Sequence, residues 1–468
     1  MKKILIVAVI LFFGAIATGT FWVRQNYQNG KLQEKIIRTA FPNSINFATT
    51  TNIIPRALGM EYPRTFLILF INNTELRPGG GFIGSYAVAR FDHGRPEILK
   101  VEGTETIDNN SPGVGATPTL ALAKYLGIKT WQFRDSNWSP DFPTDARRAL
   151  EFYKAEHGYL ADDISGVIAI TPNFFEEILK LTGPLDVNGI SFTSDNFTEK
   201  LEYEVEYGFE KRGIKFSDRK QILGDVSRVF LPRIVGSMLI HWSDYARLVL
   251  SMLNQKHLIL YSTILDEQSY IEAQGWDGAM RGKPGDYLLW ADANLGSLKT
   301  DVVITRSLSY SISSTATGTI ATATMRYNHA GGFTWRTSRY RDYARIFAPS
   351  GSRLLGISGN SEQVDEGEED GRHWFGTFLS ISPGHQGQLS FTYLLPENIN
   401  DQIQKGNYHL SAQKQLGTDH VRLTLELKFD KNLVGAEPTE ASEKFGDNYY
   451  QVATDLRVDR EFDITLAH

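Results

Sequence analysis

The sequence contains no cysteine. That excludes disulfides, thiol catalysis, cysteine-ligated zinc and a lipoprotein anchor. Histidine is scarce and scattered: ten residues with no pair at i, i+4, so a helical histidine metal site has no support. There is no G-x-S-x-G nucleophile elbow and no phosphate-binding Walker loop. An excess of positive charge is also missing. The net charge of −6 over 468 residues gives a nucleic-acid partner no bulk electrostatic support. No internal repeat is present.

Apolar material is plentiful, at 41% hydrophobic and 12% aromatic, and the length suits two or three domains. Ile4–Val23 is an uncharged run of 20 residues, preceded by Lys2 and Lys3 and closed by Arg24. It matches the roughly 20 residues a helix needs to cross a bilayer. The alternative is a cleaved signal peptide, because Ala15-Ile16-Ala17 has the form of a cleavage site. Apolar residues continue past that site to Val23, so the expectation is an uncleaved anchor over 1–24 with the body outside the cell. Residues 25–62 read as a stalk, with Leu32, Ile36 and Ile37 on a short helix that Pro42 ends.

The most informative stretch is Phe66–Tyr86. Six apolar residues, Phe66–Ile71, predict a strand buried on both faces. Asn72, Asn73, Glu75 and Arg77 then crowd into a turn with Pro78 and Gly79–Gly81, and a second strand leaves through Phe82 and Ile83. Polar groups at the end of a buried strand sit where α/β sheets keep their sites. The alternative is a polar hairpin loop that caps its own backbone. A third strand is expected over Pro96–Glu102, then a long loop over 103–118. Asp135-Ser136-Asn137-Trp138-Ser139-Pro140-Asp141 leads into a helix from about Thr144 to Glu156, so Asp135 and Asp141 are candidate cation ligands or cap residues. Gly166–Ile170 reads as a buried strand and Thr171-Pro172 as a helix start. Asn196–Tyr207 reads as helix, and a long helix is expected from Asp218 to about Leu253, kinked at Pro232.

After Gly285 the periodicity changes to two. Leu308, Tyr310 and Ile312 alternate with serines, and Val421, Leu423, Leu425, Leu427 and Phe429 alternate with polar residues. This predicts an antiparallel β-sandwich over 285–468 following an α/β domain over 63–280. The acidic run Glu362–Asp370 reads as a mobile solvated loop.

The motif Asn72–Ser85, together with Asn137–Pro143, Gly166–Ile170, Leu181–Pro184 and Gln413-Lys414-Gln415 with Gly417, resembles a bacterial membrane-anchored family known as domain of unknown function 4012. More distantly, the strand–helix order and Leu181–Val187 are similar to the LytR-CpsA-Psr family. That family transfers glycopolymers from a polyprenyl pyrophosphate carrier to the cell wall, with arginines on the phosphates and magnesium held by acids. The resemblance places Arg77 and Arg219 on phosphate. The glycine-rich turn adds Asn73 and Gly80 as candidate ligand-binding residues, and Asp135 or Asp141 is the expected holder of a divalent cation, magnesium in the resembled family. Asp218 and Gln221 match the same helix start, and Lys220 matches less closely. The departure is at Ile98–Gly103, where the LytR-CpsA-Psr signature Ile-Pro-Arg-Asp is replaced by Ile-Leu-Lys-Val-Glu-Gly. The expected function is therefore binding, with transfer as its further form, of a phosphate-linked glycopolymer or polyprenyl-linked precursor at the cell membrane. The rival is a non-enzymatic envelope scaffold or adhesion protein with a degenerate α/β domain.

Overall fold

The computed structural model describes residues 53, 55–215, 219, 221–315, 318–360, 362–440 and 446–467. The expected anchor, most of the stalk, and Ser217, Asp218 and Lys220 lie outside them. Among the described residues no helix is long and apolar enough to cross a membrane.

The first sheet is built around β1 (Arg64–Asn72). Its apolar run alternates between two cores, as a strand covered on both faces requires. Phe66 and Ile68 pack with Phe174 and Ile178, whereas Leu67, Leu69 and Ile71 pack with Phe142, Ala146 and Ala149. The other strands are β2 (Phe82–Asp92), β3 (Arg95–Gly103), β4 (Ile164–Ile170) and β7 (Leu258–Ser262), while β5 (Leu185–Val187) and β6 (Ile190–Phe192) form a separate hairpin. The sheet order is β3-β2-β1-β4-β7, with β1 parallel to β4 and the other neighbours antiparallel.

Among the described residues, the helices of seven residues or more in this half are α1 (Thr104–Asn110), α2 (Leu120–Leu126), α3 (Phe142–Ala155), α4 (Pro172–Thr182), α5 (Phe197–Tyr203), α6 (Gln221–Asn254) and α7 (Leu265–Gln274). Helix α1 replaces part of the loop expected over 103–118. Ile107 is buried in the core and the Thr104 hydroxyl donates to the Ile83 carbonyl at 2.6 Å, so this segment is held by packing that no periodicity announces. Helix α6 runs through Pro232 and departs from helical geometry at His241 instead (φ −113°, ψ 30°). Pro232 is exposed, so the bond it removes lies on the solvent side.

The second half contains β8 (Asp286–Ala291), β9 (Ile304–Thr315), β10 (Gly318–His329), β11 (Tyr340–Pro349), β12 (Arg353–Ser358), β13 (Asp365–Glu369), β14 (Arg372–Ile381), β15 (Gln386–Leu394), β16 (Asn407–Gln413), β17 (Val421–Lys428), β18 (Leu433–Glu437), β19 (Tyr449–Asp455) and β20 (Arg460–Leu466), with helix α8 (Glu397–Gln404) between β15 and β16. Two sheets, ordered β13-β14-β11-β8-β16-β20-β18 and β12-β15-β10-β9-β17-β19, close on one core. The alternating strands face it as expected: Leu308, Tyr310 and Ile312 of β9 meet Leu423 and Leu425 of β17. The pairing is not wholly antiparallel. β8–β16 and β9–β17 run parallel, because a later crossover returns the chain beside the two strands that opened the sheets. The acidic run is likewise not a mobile loop. It contains edge strand β13, in which Asp365 accepts from the Tyr343 hydroxyl at 2.8 Å and Glu369 pairs with Arg345 at 2.9 Å.

The halves meet along a polar seam. The Leu76 N–H donates to Asp301, the Asn294 N–H to the Leu76 carbonyl, and the Gln415 amide to the Arg77 carbonyl, at 3.0, 2.9 and 3.2 Å. Lys414 lies in this seam at 1% exposure, and its ammonium donates to the Gln415 carbonyl at 3.3 Å. Burial pulls its pKa down to about 7, with the Lys256 charge acting in the same direction and Asp419 and Asp459 opposing. A base lowered by folding binds fewer protons folded than unfolded, so the charged lysine costs most below about pH 7 and the cost disappears as pH rises toward 10.5. Lys414→Met should therefore raise stability at pH 6 by about 1–3 kcal/mol, with a smaller gain at pH 9.5. Thermal denaturation at the two pH values checks this. A variant no more stable than the native protein at pH 6 would show that the lysine is compensated.

Candidate functional site

At the carboxyl ends of the parallel strands β1 and β4 lies a cavity of about 800 Å³. This is where an α/β sheet leaves room for a ligand. Its walls come from the strand ends, α5 and its continuation, the segment 126–135, Arg219 and Leu223, with Ser297 and Lys299 contributed by the second half. Phe70, Phe82, Phe175, Phe197, Leu201 and Leu223 make much of the surface apolar. Arg77, Arg134, Arg219 and Lys299 bring positive charge to the same space, and Glu75, Glu105 and Asp135 bring negative charge.

Each cation has a protein partner. Arg219 pairs with Glu105 at 3.0 Å, Arg134 with Asp108, and Lys299 with Glu206 at 3.4 Å. Arg77 is 3% exposed; it pairs with Glu75 at 3.0 Å and donates to the Asn294 and Leu76 carbonyls at 2.5 and 3.2 Å. Its guanidinium thus lines the cavity while tying the 72–81 loop to the second half. Burial raises the pKa of Glu75, against the opposing charge of Arg77.

Asp135 differs from these groups. It is 6% exposed and lines the cavity. Burial lifts its pKa to about 6, with Arg77 and Arg134 opposing the rise. Its position is set by a short 3-10 turn, Phe133–Asp135. Phe133 is wedged edge-on against Tyr86 at 5.4 Å, and its N–H donates to Glu156 at 3.0 Å. Trp131 Nε1 donates to the Asp135 carbonyl at 2.6 Å. Burial and the neighbouring Asp108 raise the pKa of Glu156.

The remaining sequence candidates lie outside the lining of this cavity. Asp141 caps α3: one oxygen accepts from the Thr144 N–H at 3.0 Å and the other from the Met280 N–H at 2.9 Å, so it does not line the cavity. Asp135 lines the cavity and Asp141 does not, and among the described residues no group of three or more acids and histidines stands together as a metal site would require. Asn73 bridges the Asn173 side chain and the Gly417 carbonyl, both at 2.8 Å. Gly80, at φ +109°, lets the loop approach Gly417 so closely that a Cβ on Gly417 would lie 2.0 Å from the Gly80 carbonyl oxygen. Arg77, Arg219 and Asp135 share one cavity, whereas Asn73, Gly80 and Asp141 belong to the seam and a helix cap. The apolar walls from α4 and α5 were not foreseen as a site. Phe175, Phe197 and Leu201 read in sequence only as helix faces.

A family model described as protein of unknown function (DUF4012) matches residues 61–205, which hold the 72–81 loop, β1–β6 and part of the cavity wall. No curated protein matches the chain. Among solved structures, a protein described as nutrient-binding from Legionella pneumophila aligns at 7% identity and TM-score 0.23, over 35% of this chain and 67% of its own. Leukotriene A4 hydrolase from Saccharomyces cerevisiae aligns at 10% identity and TM-score 0.21, over 35% of this chain and 28% of its own. An M1 zinc metallopeptidase from Deinococcus radiodurans aligns at 11% identity and TM-score 0.21, over 39% and 43%. At these scores the likenesses carry no inference about fold or function.

Chemically, the cavity suits a molecule with an apolar chain and an anionic end. Decyl sulfate is a simple probe because its charge does not titrate. As pH rises through about 6, Asp135 ionises inside the cavity and repels it. Affinity should fall by about threefold to tenfold between pH 5 and 7.5, and in Asp135→Asn the fall should be smaller, with Glu75 remaining as a carboxyl of the lining whose pKa burial raises. Calorimetric titration checks this. An identical pH profile in the variant would remove Asp135 from the binding site.

Proposed function

We propose that this chain is a membrane-anchored, extracytoplasmic cell-envelope protein that binds a polyprenyl-linked phosphate or pyrophosphate, the carrier form of a cell-wall glycopolymer. The observation that carries the reading is the coexistence of an apolar wall and buried or half-buried guanidiniums in one cavity of about 800 Å³. Pockets of this size with few placed polar groups are the usual form of small-molecule sites. A prenyl chain would lie against Phe175, Phe197 and Leu201. Arg219 would exchange its Glu105 partner for phosphate, a charge-assisted bond of the kind Arg makes best.

Binding is the form of the function the geometry favours. Transfer to a wall polymer is its further form, and the replaced Ile-Pro-Arg-Asp signature weighs against it. The second reading, a non-enzymatic envelope scaffold, is favoured by one specific observation: Arg77 is buried, donating to the Asn294 carbonyl across the seam and to Glu75 and the Leu76 carbonyl within its own loop.

Geranylgeranyl pyrophosphate titrated into the purified protein separates the two. The binding reading expects saturable association. Arg219→Ala should weaken it about tenfold to a hundredfold, since a charge-assisted bond is worth roughly 1.5–3 kcal/mol. Leu201→Glu should abolish it by placing a charge on the apolar wall. Absence of binding by the native protein would leave the scaffold reading as the better account.

A further inference from the structure

The wall that closes the cavity has a second face. Leu201, Glu202, Val205 and Glu206 line the cavity, while Tyr203 and Tyr207 project from the same turns on another side. The helix widens to a π turn over Glu204–Gly208, and the two tyrosines stack with ring centres 6.1 Å apart and planes 30° from parallel. Trp335, from the β10–β11 loop of the second half, stands edge-on to both at 5.4 and 5.6 Å. The cluster is not sealed. Tyr207 is 45% exposed, and Phe333, two residues before Trp335, is 72% exposed.

The loop that carries Trp335 is held in place. The Thr337 hydroxyl donates to the Gly332 carbonyl at 2.8 Å, Arg336 Nε to Glu202 at 2.7 Å, and the Lys299 N–H to the Arg336 carbonyl at 2.9 Å. The rings are therefore ordered before any ligand arrives, which lowers the entropic cost of binding. Charges of both signs stand around them. Lys211 donates to the Tyr203 hydroxyl at 2.6 Å and lies over its ring at 5.3 Å, and Glu206 pairs with Lys299 at 3.4 Å.

We infer that Tyr203, Tyr207 and Trp335 form a subsite for a pyranose ring of a glycan. Aromatic faces carry negative charge density and suit the C–H face of a sugar, while the flanking carboxylates and ammoniums suit its hydroxyls. A bilayer or an apolar helix laid on the same rings would have to desolvate Lys211, Glu206 and Lys299, which is costly. Glu202, Glu206 and Lys299 belong both to the cavity lining and to the surroundings of the rings, so cavity and subsite are contiguous. The inference rests on the carrier-binding reading for its biological sense: the subsite would receive the first sugars beyond the phosphate. Its chemistry stands without that reading.

The test uses the full chain in lipid nanodiscs and two probes, chitotetraose and maltotetraose, read by saturation-transfer NMR and calorimetry. At least one tetrasaccharide should bind. Tyr207→Ala should weaken it at least fivefold, and Trp335→Phe, which keeps an aromatic ring in the loop, should weaken it less. Phe333→Ala, at an exposed ring of the same loop outside the subsite, is the control and should bind as the native protein does. Geranylgeranyl pyrophosphate binding should be unchanged in Tyr207→Ala. If neither tetrasaccharide binds the native protein, or if Tyr207→Ala and Trp335→Phe both bind as well as it does, the subsite is refuted while the cavity reading stands. If the glycan binds and geranylgeranyl pyrophosphate does not, the subsite stands and the carrier reading fails.

Discussion

The fold depends on how the loop 72–81 is gripped. β1 ends in a cluster of polar backbone and side-chain groups that cannot be left dry without partners. The second half supplies them. Asp301 accepts from the Leu76 N–H, the Asn294 N–H donates to the Leu76 carbonyl, and the Arg77 guanidinium donates to the Asn294 carbonyl. Asp301 is itself paired with Arg306, which also holds Asp292 at 2.6 Å. The loop and the entry into the sandwich therefore satisfy one another. Leu416 reinforces the joint by entering the core of the first half beside Ile71 and Phe142.

The same joint shapes the cavity. Because the loop is pinned, the strand ends of β1 and β4 stay open, and α5 and the 126–135 segment wall the space between them. Arg77 therefore has two consequences at once, since it secures the seam and adds charge to the cavity. Its buried, partnered state makes it a fixed source of potential, whereas Arg219, further exposed and paired with Glu105, is placed to exchange partners. Asp135 adds a carboxyl whose charge depends on pH near 6.

Much of the architecture was legible because its signals are local. The six-residue apolar run declared a doubly covered strand, and the period-two runs near Leu308 and Leu423 declared half-buried strands. What failed depended on tertiary partners. Glu362–Asp370 looks like a solvated loop until Tyr343, Arg345 and Lys124 are placed opposite its acids. Asp141 reads in sequence as either a cation ligand or a helix cap; the structure shows the cap, and a second bond from Met280, 139 residues away, that no local pattern announces. Arg77 in the glycine-rich turn, Arg219 at a helix start and Asp135 in the polar segment before a helix are legible as candidates and do share a space. The apolar walls were invisible as a site, because residues such as Phe197 and Leu201 have the same spacing whether they face a core or a ligand.

The central claim is that the space between the strand ends and α5 holds an apolar chain with an anionic end. Hydrogen–deuterium exchange with and without geranylgeranyl pyrophosphate tests it most directly. The account predicts slowed exchange confined to the cavity walls, in 126–135 and 197–206, with the sandwich strands unchanged. No change in those segments at saturating ligand, or protection only in the groove around Arg326 and Arg422, would contradict it.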